Sequence, residues 1–158
     1  MAGGGKVSDE RITEALIKKV IKEELEDIPS LTLDAVEVQN EQEKAVVKKV
    51  SAVVRKIGDK LKEDPEIQDD IKGIAQHFQQ GEVEEANQMF KEMFHGGITW
   101  EKIVISLYVG GKVLGTIGMM TALHQSVKLI LKWTVDFFKK YLLGWILEQG
   151  GWIRCLVQ

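Results

Sequence analysis

The 158-residue sequence holds few side chains whose type and spacing suit covalent or metal chemistry. Its three histidines, His77, His95 and His124, show no two-histidine helical spacing and no neighbouring cysteine pair, so no metal-ligand set is expected. Cys155, the one cysteine, follows Arg154, a cation that favours thiolate, yet no nucleophile motif surrounds it and alone it cannot form an internal disulfide. Gly110-Gly111 with Gly115 and Gly118 lack the lysine-hydroxyl ending of a phosphate loop and fall in an apolar run. The expectation is therefore no catalytic residue, no metal, no cofactor and no enzyme. What the spacing does offer is noncovalent. Val50, Val54, Ile57 and Leu61, with Val53 alongside, put an apolar stripe on one helix, a pattern able to enter a partner's groove. Gly58 within it permits close backbone approach, and Asp59 can pair with a cation on a groove rim. By period alone the same stripe describes an ordinary amphipathic core helix.

These positions need helices to present them. Two prolines and almost no alternating apolar and polar runs argue against sheets, and the fold class is all-α. Met1 to Val7 is glycine-rich and expected to be disordered, leaving one domain over residues 8–158. Ser8 is placed to cap a first amphipathic helix running to about Asp27, with Ile12, Leu16, Val20, Ile17, Ile21 and Leu25 on its apolar face. Residues 28–39 read as a loop, and Asn40 with Glu43 resembles a capping box opening the second helix. Asp64-Pro65 starts a third, Gly81 ends it, and Glu82 begins a fourth with Met89 and Met93 inward. After Gly96-Gly97, the run Ile98 to Leu123 reads as a helix buried on nearly all sides, its uncharged stretches shorter than the roughly 18–20 residues of a membrane span. Thr121 is a candidate cap for a sixth helix to about Leu142, and short helices around Trp145 and Trp152 finish the chain.

The formal net charge of -3 conceals an asymmetry. From Ile98 onward seven basic residues face three acidic ones, while the first 97 residues carry the acidic excess. A basic, apolar second half suits an anionic membrane surface or an ordinary solvated face; a nucleic-acid partner would ask for a far more basic balance.

The string Ile57-Gly58-Asp59-x-Leu61 resembles the third homology motif (BH3) of the Bcl-2 family, in its Bax form. Gly97-Ile98-Thr99-Trp100-Glu101-Lys102 is similar to the first homology motif, with a start also like Bok, and Trp145-Ile-Leu-Glu-Gln-Gly150-Gly151-Trp152 resembles the second. Trp133-Thr-Val-Asp136-Phe137-Phe138 and Leu142-Leu143-Gly144 are again Bax-like. Three motifs in the right order cover roughly Leu33 to Trp152. Val54 stands where the family motif has leucine, Glu101 replaces glycine, Lys102 replaces arginine, and the family's hydrophobic C-terminal anchor is expected to be missing. Lysine is a point charge where arginine is a planar fork, so pairing through Lys102 is expected to be looser.

The resemblance implies a Bcl-2-like bundle whose buried hydrophobic hairpin, the fifth and sixth helices, is wrapped by amphipathic ones. It implies a groove that binds amphipathic helices of Bcl-2 family proteins, lined by Ile71, Ile74, Phe78, Met89, Met93, Thr99, Trp100, Ile103 and Ser106, with Lys102 as charge partner. It further implies self-association to dimers and larger oligomers, contact with mitochondrial membrane lipid, and permeabilisation of the outer mitochondrial membrane by a protein cytoplasmic at rest. A pro-survival relative that sequesters the same helices is the alternative, and a colicin-like pore-forming helical domain shares the buried hairpin without the three motifs. Two features suit release of the motif helix. Its valines have poor intrinsic helix propensity, so its helicity depends on packing. The glycines of the central helix suit close helix contact, in a soluble core or in lipid.

Overall fold

The most apolar segment of the chain, α5 (Trp100–Met120), lies at the centre of the bundle. The computed structural model describes residues 2–24, 41–120 and 124–157. Around α5 pack α1 (Ala2–Glu24), α2 (Glu41–Leu61), α3 (Pro65–Gln79) and α6 (His124–Phe137), while α4 (Val83–Glu92) lies against α3. Ile103, Val104, Leu107, Val109, Val113, Leu114 and Ile117 bury most of the circumference of α5, and Glu101, Lys102, Ile105 and Lys112 occupy its one open face. The described residues contain helices and no strand, as the spacing predicts. Glycines in α5 cost up to about 1 kcal/mol each in helix propensity. Burying Ile103, Leu114 or Ile117 contributes about 1.5–3 kcal/mol per side chain, so packing wins. At Gly110 a Cβ would meet the ends of Phe90 and Thr134 at 3.6 Å, an ordinary contact distance, so close approach does not by itself demand glycine there.

α6 is the less buried arm of the hairpin. Leu131, Val135 and Phe137 face inward, while Lys128, Leu129 and Lys132 are exposed. Near the predicted end at Leu142 the helix does not break. A wide π turn, Phe138–Leu142, carries it into α7 (Leu143–Glu148), and a final 3-10 turn spans Trp152–Val157. Among the described residues no helix is long and apolar enough to cross a membrane.

The start signals are uneven in outcome. Asp64 caps α3, its Oδ1 accepting from the amides of Glu66 (3.0 Å) and Ile67 (3.1 Å), and Gly81 (φ 78°) takes the left-handed ending expected of it. α1, however, begins at Ala2, ahead of the predicted start near Asp9. The glycine-rich opening expected to be disordered supplies its first turns, because extending an existing helix needs no new nucleus. Ser8 therefore has no cap to make, and its hydroxyl donates to Glu43 instead (3.1 Å). The predicted loop, Asn40 of the capping box and Thr121 lie outside the described residues.

Candidate partner-binding groove

A cavity of about 590 Å³ opens between α3, α4 and α5. Ile67, Met89, Met93 and Ile105 supply its apolar surface, and Glu66, Asp70, Glu92, Thr99, Glu101 and Lys102 its polar one. The α4–α5 turn shapes one wall. Gly96 (φ 89°) and Gly97 (φ 121°) take conformations that disfavour other residues, and Thr99 Oγ1 accepts the Lys102 amide at 3.2 Å, capping α5. The Lys102 ammonium donates to the carbonyls of His95 (2.7 Å) and Gly97 (3.0 Å), so it fastens the turn. The Asp70 carboxyl lies above the usual carboxylate range, chiefly through burial and then through repulsion by Glu66, Asp69, Glu92 and Asp64.

Of the residues predicted to line the groove, Met89, Met93, Thr99 and Lys102 do so. Ile71, Ile74, Trp100, Ile103 and Ser106 are buried in the bundle and do not. Phe78 packs edge-on to Trp133 of α6 (centroids 4.9 Å apart) and also lies away from the cavity. The cause is rotational. Ile67, Ile71, Ile74 and Phe78 form one stripe on α3, which turns its later members into the core and leaves Ile67 to the cavity. On α5 the open positions are 101, 102 and 105, adjacent to the buried set. Ile105 and the acidic side chains were not singled out by spacing. Ile105 lies four residues after Glu101 and three after Lys102, on the one face of α5 that carries charge, and that placement is the signal that points to it.

The motif helix α2 faces inward. Val50 and Val54 are buried (0% and 3% exposed), Ile57 and Leu61 half-buried, and Val53, at 36%, belongs to the outer side, contrary to its predicted place on the stripe. α2 advances by about 100° per residue, and with Val46, Val50, Val54 and Gly58 inward, position 53 rotates out. Gly58 lies against α5 so closely that a Cβ would stand 2.8 Å from Cδ1 and Cε1 of Tyr108. Asp59 meets no groove cation; its carboxylate, 71% exposed, is 3.5 Å from the Lys62 ammonium.

The second motif forms a junction with α1. Trp152 is wholly buried, its indole N–H donating to Thr13 Oγ1 (2.8 Å) and its amide to Asp9 Oδ1 (2.9 Å). The Thr13 hydroxyl in turn donates to the Asp9 carbonyl at 2.7 Å. Gly150 (φ 104°) and Gly151 (φ 93°) make the turn, and a side chain at 151 would strike the Asp9 carboxylate at 2.7 Å. Burial, above all, raises the Asp9 carboxyl above its ordinary range; the Trp152 amide works the other way and nearby Glu43 adds to the rise. Trp145 and Trp152 both contact the Trp100 ring, at 5.1 and 5.9 Å. Next to this junction Arg11 grips the buried Glu43 carboxylate through Nε (3.0 Å) and Nη2 (2.8 Å), tying α1 to α2. Sequence spacing gave no sign of Asp9, Arg11, Thr13 or Glu43 as a cluster, since their partners are more than 30 residues distant.

The terminal turn also holds Cys155, half-buried, its thiol pushed up by burial to about 11. At neutral pH it is a thiol despite the neighbouring Arg154. Alkylation by iodoacetamide is expected to be slow in the folded protein and to rise by more than tenfold on unfolding, where the pKa returns to its ordinary value; equal rates in both states would contradict the burial argument.

A helical bundle with three ordered motifs and a groove beside the first of them matches known proteins. Residues 54–152 fit the profile of apoptosis regulator proteins of the Bcl-2 family. The chain belongs to the Bcl-2 family. Human apoptosis regulator BAX is 30% identical to it over 162 residues, which span 95% of this chain and 78% of BAX. Among solved structures, chicken BOK superposes with a TM-score of 0.69 at 21% identity, covering 96% of this chain and 97% of BOK. Trichoplax adhaerens trBcl-2L2 bound to trBak BH3 superposes with a TM-score of 0.66 at 17% identity, covering 94% and 97%. This Bcl-2 family apoptosis regulator therefore keeps the family bundle, with Trp152, in the second motif, as a core residue and Lys102, in the first, as a turn clasp. Among its described residues no group of three or more His, Cys, Asp or Glu is placed to hold a metal ion.

Proposed function

We propose that the chain is a Bax-type effector: cytoplasmic at rest, it takes an amphipathic partner helix into the α3–α4–α5 groove, releases α2, self-associates and permeabilises the outer mitochondrial membrane. The observation that carries this reading is the groove itself, an open cavity with two adaptable methionines and two isoleucines on its apolar surface. Likeness to BAX over nearly the whole chain supports the effector side. The site residues then divide by role. Ile67, Met89, Met93 and Ile105 receive the incoming apolar anchors. Val50, Val54, Ile57 and Leu61 of α2 are the anchors this chain would present once withdrawn, with Gly58 for close backbone approach and Asp59 as the charged contact beside them.

The test is dye release from liposomes of mitochondrial lipid composition, with an activating BH3-type peptide. Asp59→Ala is the informative variant, because Asp59 is exposed and its pairing with Lys62 is worth little in the folded state. Release is expected to fall severalfold while the unfolding midpoint stays put. Undiminished release by this variant would count against a role for the motif aspartate, and no release by the wild-type chain would remove the effector reading.

The firm seating of α2, with Val50 wholly buried and Gly58 against Tyr108, favours a second reading. In it α2 never leaves, and the groove serves to sequester pro-apoptotic helices. Cells overexpressing the chain would then resist death stimuli, where an effector would sensitise them.

A further inference from the structure

The groove rim carries four carboxylates, Glu66, Asp70, Glu92 and Glu101, against one ammonium, Lys102. That ammonium is already occupied by two backbone carbonyls. Among the described residues none of the four carboxylates makes an ion pair. The raised Asp70 carboxyl reflects the same crowding, burial first and neighbouring carboxylates after it.

We propose that this groove selects its partner by positive charge, and that its occupant is an amphipathic helix carrying Lys or Arg on the flanks of its apolar stripe. The proposal rests on the groove reading above and adds what the groove prefers. An incoming cation relieves repulsion that the groove carries when empty, while an added partner carboxylate would join four existing ones with Lys102 held at the turn. Like-charge juxtaposition of that kind is what rejects wrong partners at interfaces, and opposite charge on the rim also steers encounter. This chain contains a helix of the preferred chemistry. Residues 45–62, most of α2 and the residue after it, carry Lys48, Lys49, Arg55, Lys56, Lys60 and Lys62 against Asp59 alone. That segment is the probe for the test; the proposal concerns its class.

Two labelled peptides distinguish the outcomes by fluorescence anisotropy against the full chain. One has the sequence of residues 45–62; the other carries Arg55→Glu, Lys56→Glu and Lys60→Glu. At low salt the basic peptide is expected to bind tighter by on the order of tenfold or more, from a few exposed pairs acting together. High salt should close that gap through screening. A chain carrying Glu66→Gln, Glu92→Gln and Glu101→Gln should lose the preference while keeping its helical circular dichroism, since the changes remove repulsion without removing packing. Ile105→Arg, which fills the apolar surface of the groove, should abolish binding of both peptides. Equal affinities for the two peptides, or a preference for the acidic one, would overturn charge selection and leave the groove reading intact. If neither peptide binds, or if binding survives Ile105→Arg, the groove reading falls, and charge selection with it.

Discussion

Trp152→Ala is expected to lower the unfolding free energy by about 3–5 kcal/mol, the range for truncating a fully buried large aromatic. The indole fills the space between α1 and the start of α5, contacting the Trp100 ring at 5.9 Å, and its N–H is the partner of Thr13 Oγ1. Removing it leaves a cavity beside Trp100 and takes away the indole bond to Thr13, while the Trp152 amide keeps its bond to Asp9. A loss of this size is a large share of a typical domain's stability of about 5–15 kcal/mol. Thr13→Val isolates the polar part. It keeps the volume but strands a buried indole N–H, at about 1–3 kcal/mol. Urea unfolding followed by circular dichroism measures both. A Trp152→Ala midpoint close to wild type would mean that the turn after Gly151 contributes little to the fold, and the junction with α1 would have to be abandoned as a stabilising element.

The same junction shows where sequence reasoning reached and where it stopped. The caps were legible because they are local: Asp64 reaches amides two and three residues on, and Gly81 needs only its own backbone freedom. The centrality of α5 was legible because a helix apolar round most of its circumference has nowhere else to go. The groove was legible only in outline. Period 3.6 identifies the stripe Ile67, Ile71, Ile74 and Phe78, but the tilt of α3 on α5 decides which member faces open space, and tilt is a property of the packed pair. Lys102 illustrates a further limit. As a charge beside a motif it reads as a partner's counterion, yet the positive φ of Gly96 and Gly97 brings two carbonyls within its reach, and the ammonium bonds to them. The Arg11–Glu43 pairing was invisible for another reason: Glu43 reads locally as a capping-box residue, and a salt link between two helices leaves no periodicity in either.

Gly58→Ala should destabilise the chain by about 1–3 kcal/mol, although alanine is the better helix former by up to about 1 kcal/mol. Position 58 lies within the last turn of α2, where propensity alone still predicts a gain. The new methyl, however, would lie 2.8 Å from two ring carbons of Tyr108, a side chain only 5% exposed. Lys112 lies over that ring at 5.8 Å, and Gln68 approaches its hydroxyl at 3.4 Å, which limits where the ring can move. Opposing terms of known sign make a clean test. In a Tyr108→Ala background the collision disappears and the propensity gain remains, so the same Gly58→Ala change should become neutral or stabilising. The double-mutant cycle from denaturant unfolding reads this directly as a coupling energy, and equal destabilisation in both backgrounds would show that the ring is not what holds position 58 to glycine. Function follows from the same seam. Under the effector reading α2 must part from α5, and Tyr108→Ala loosens that contact without altering the motif residues themselves. Its dye release should therefore need less activating peptide than wild type. An unchanged requirement would place the barrier to α2 release elsewhere, with the half-buried Arg11–Glu43 link between α1 and α2 as the next contact to cut.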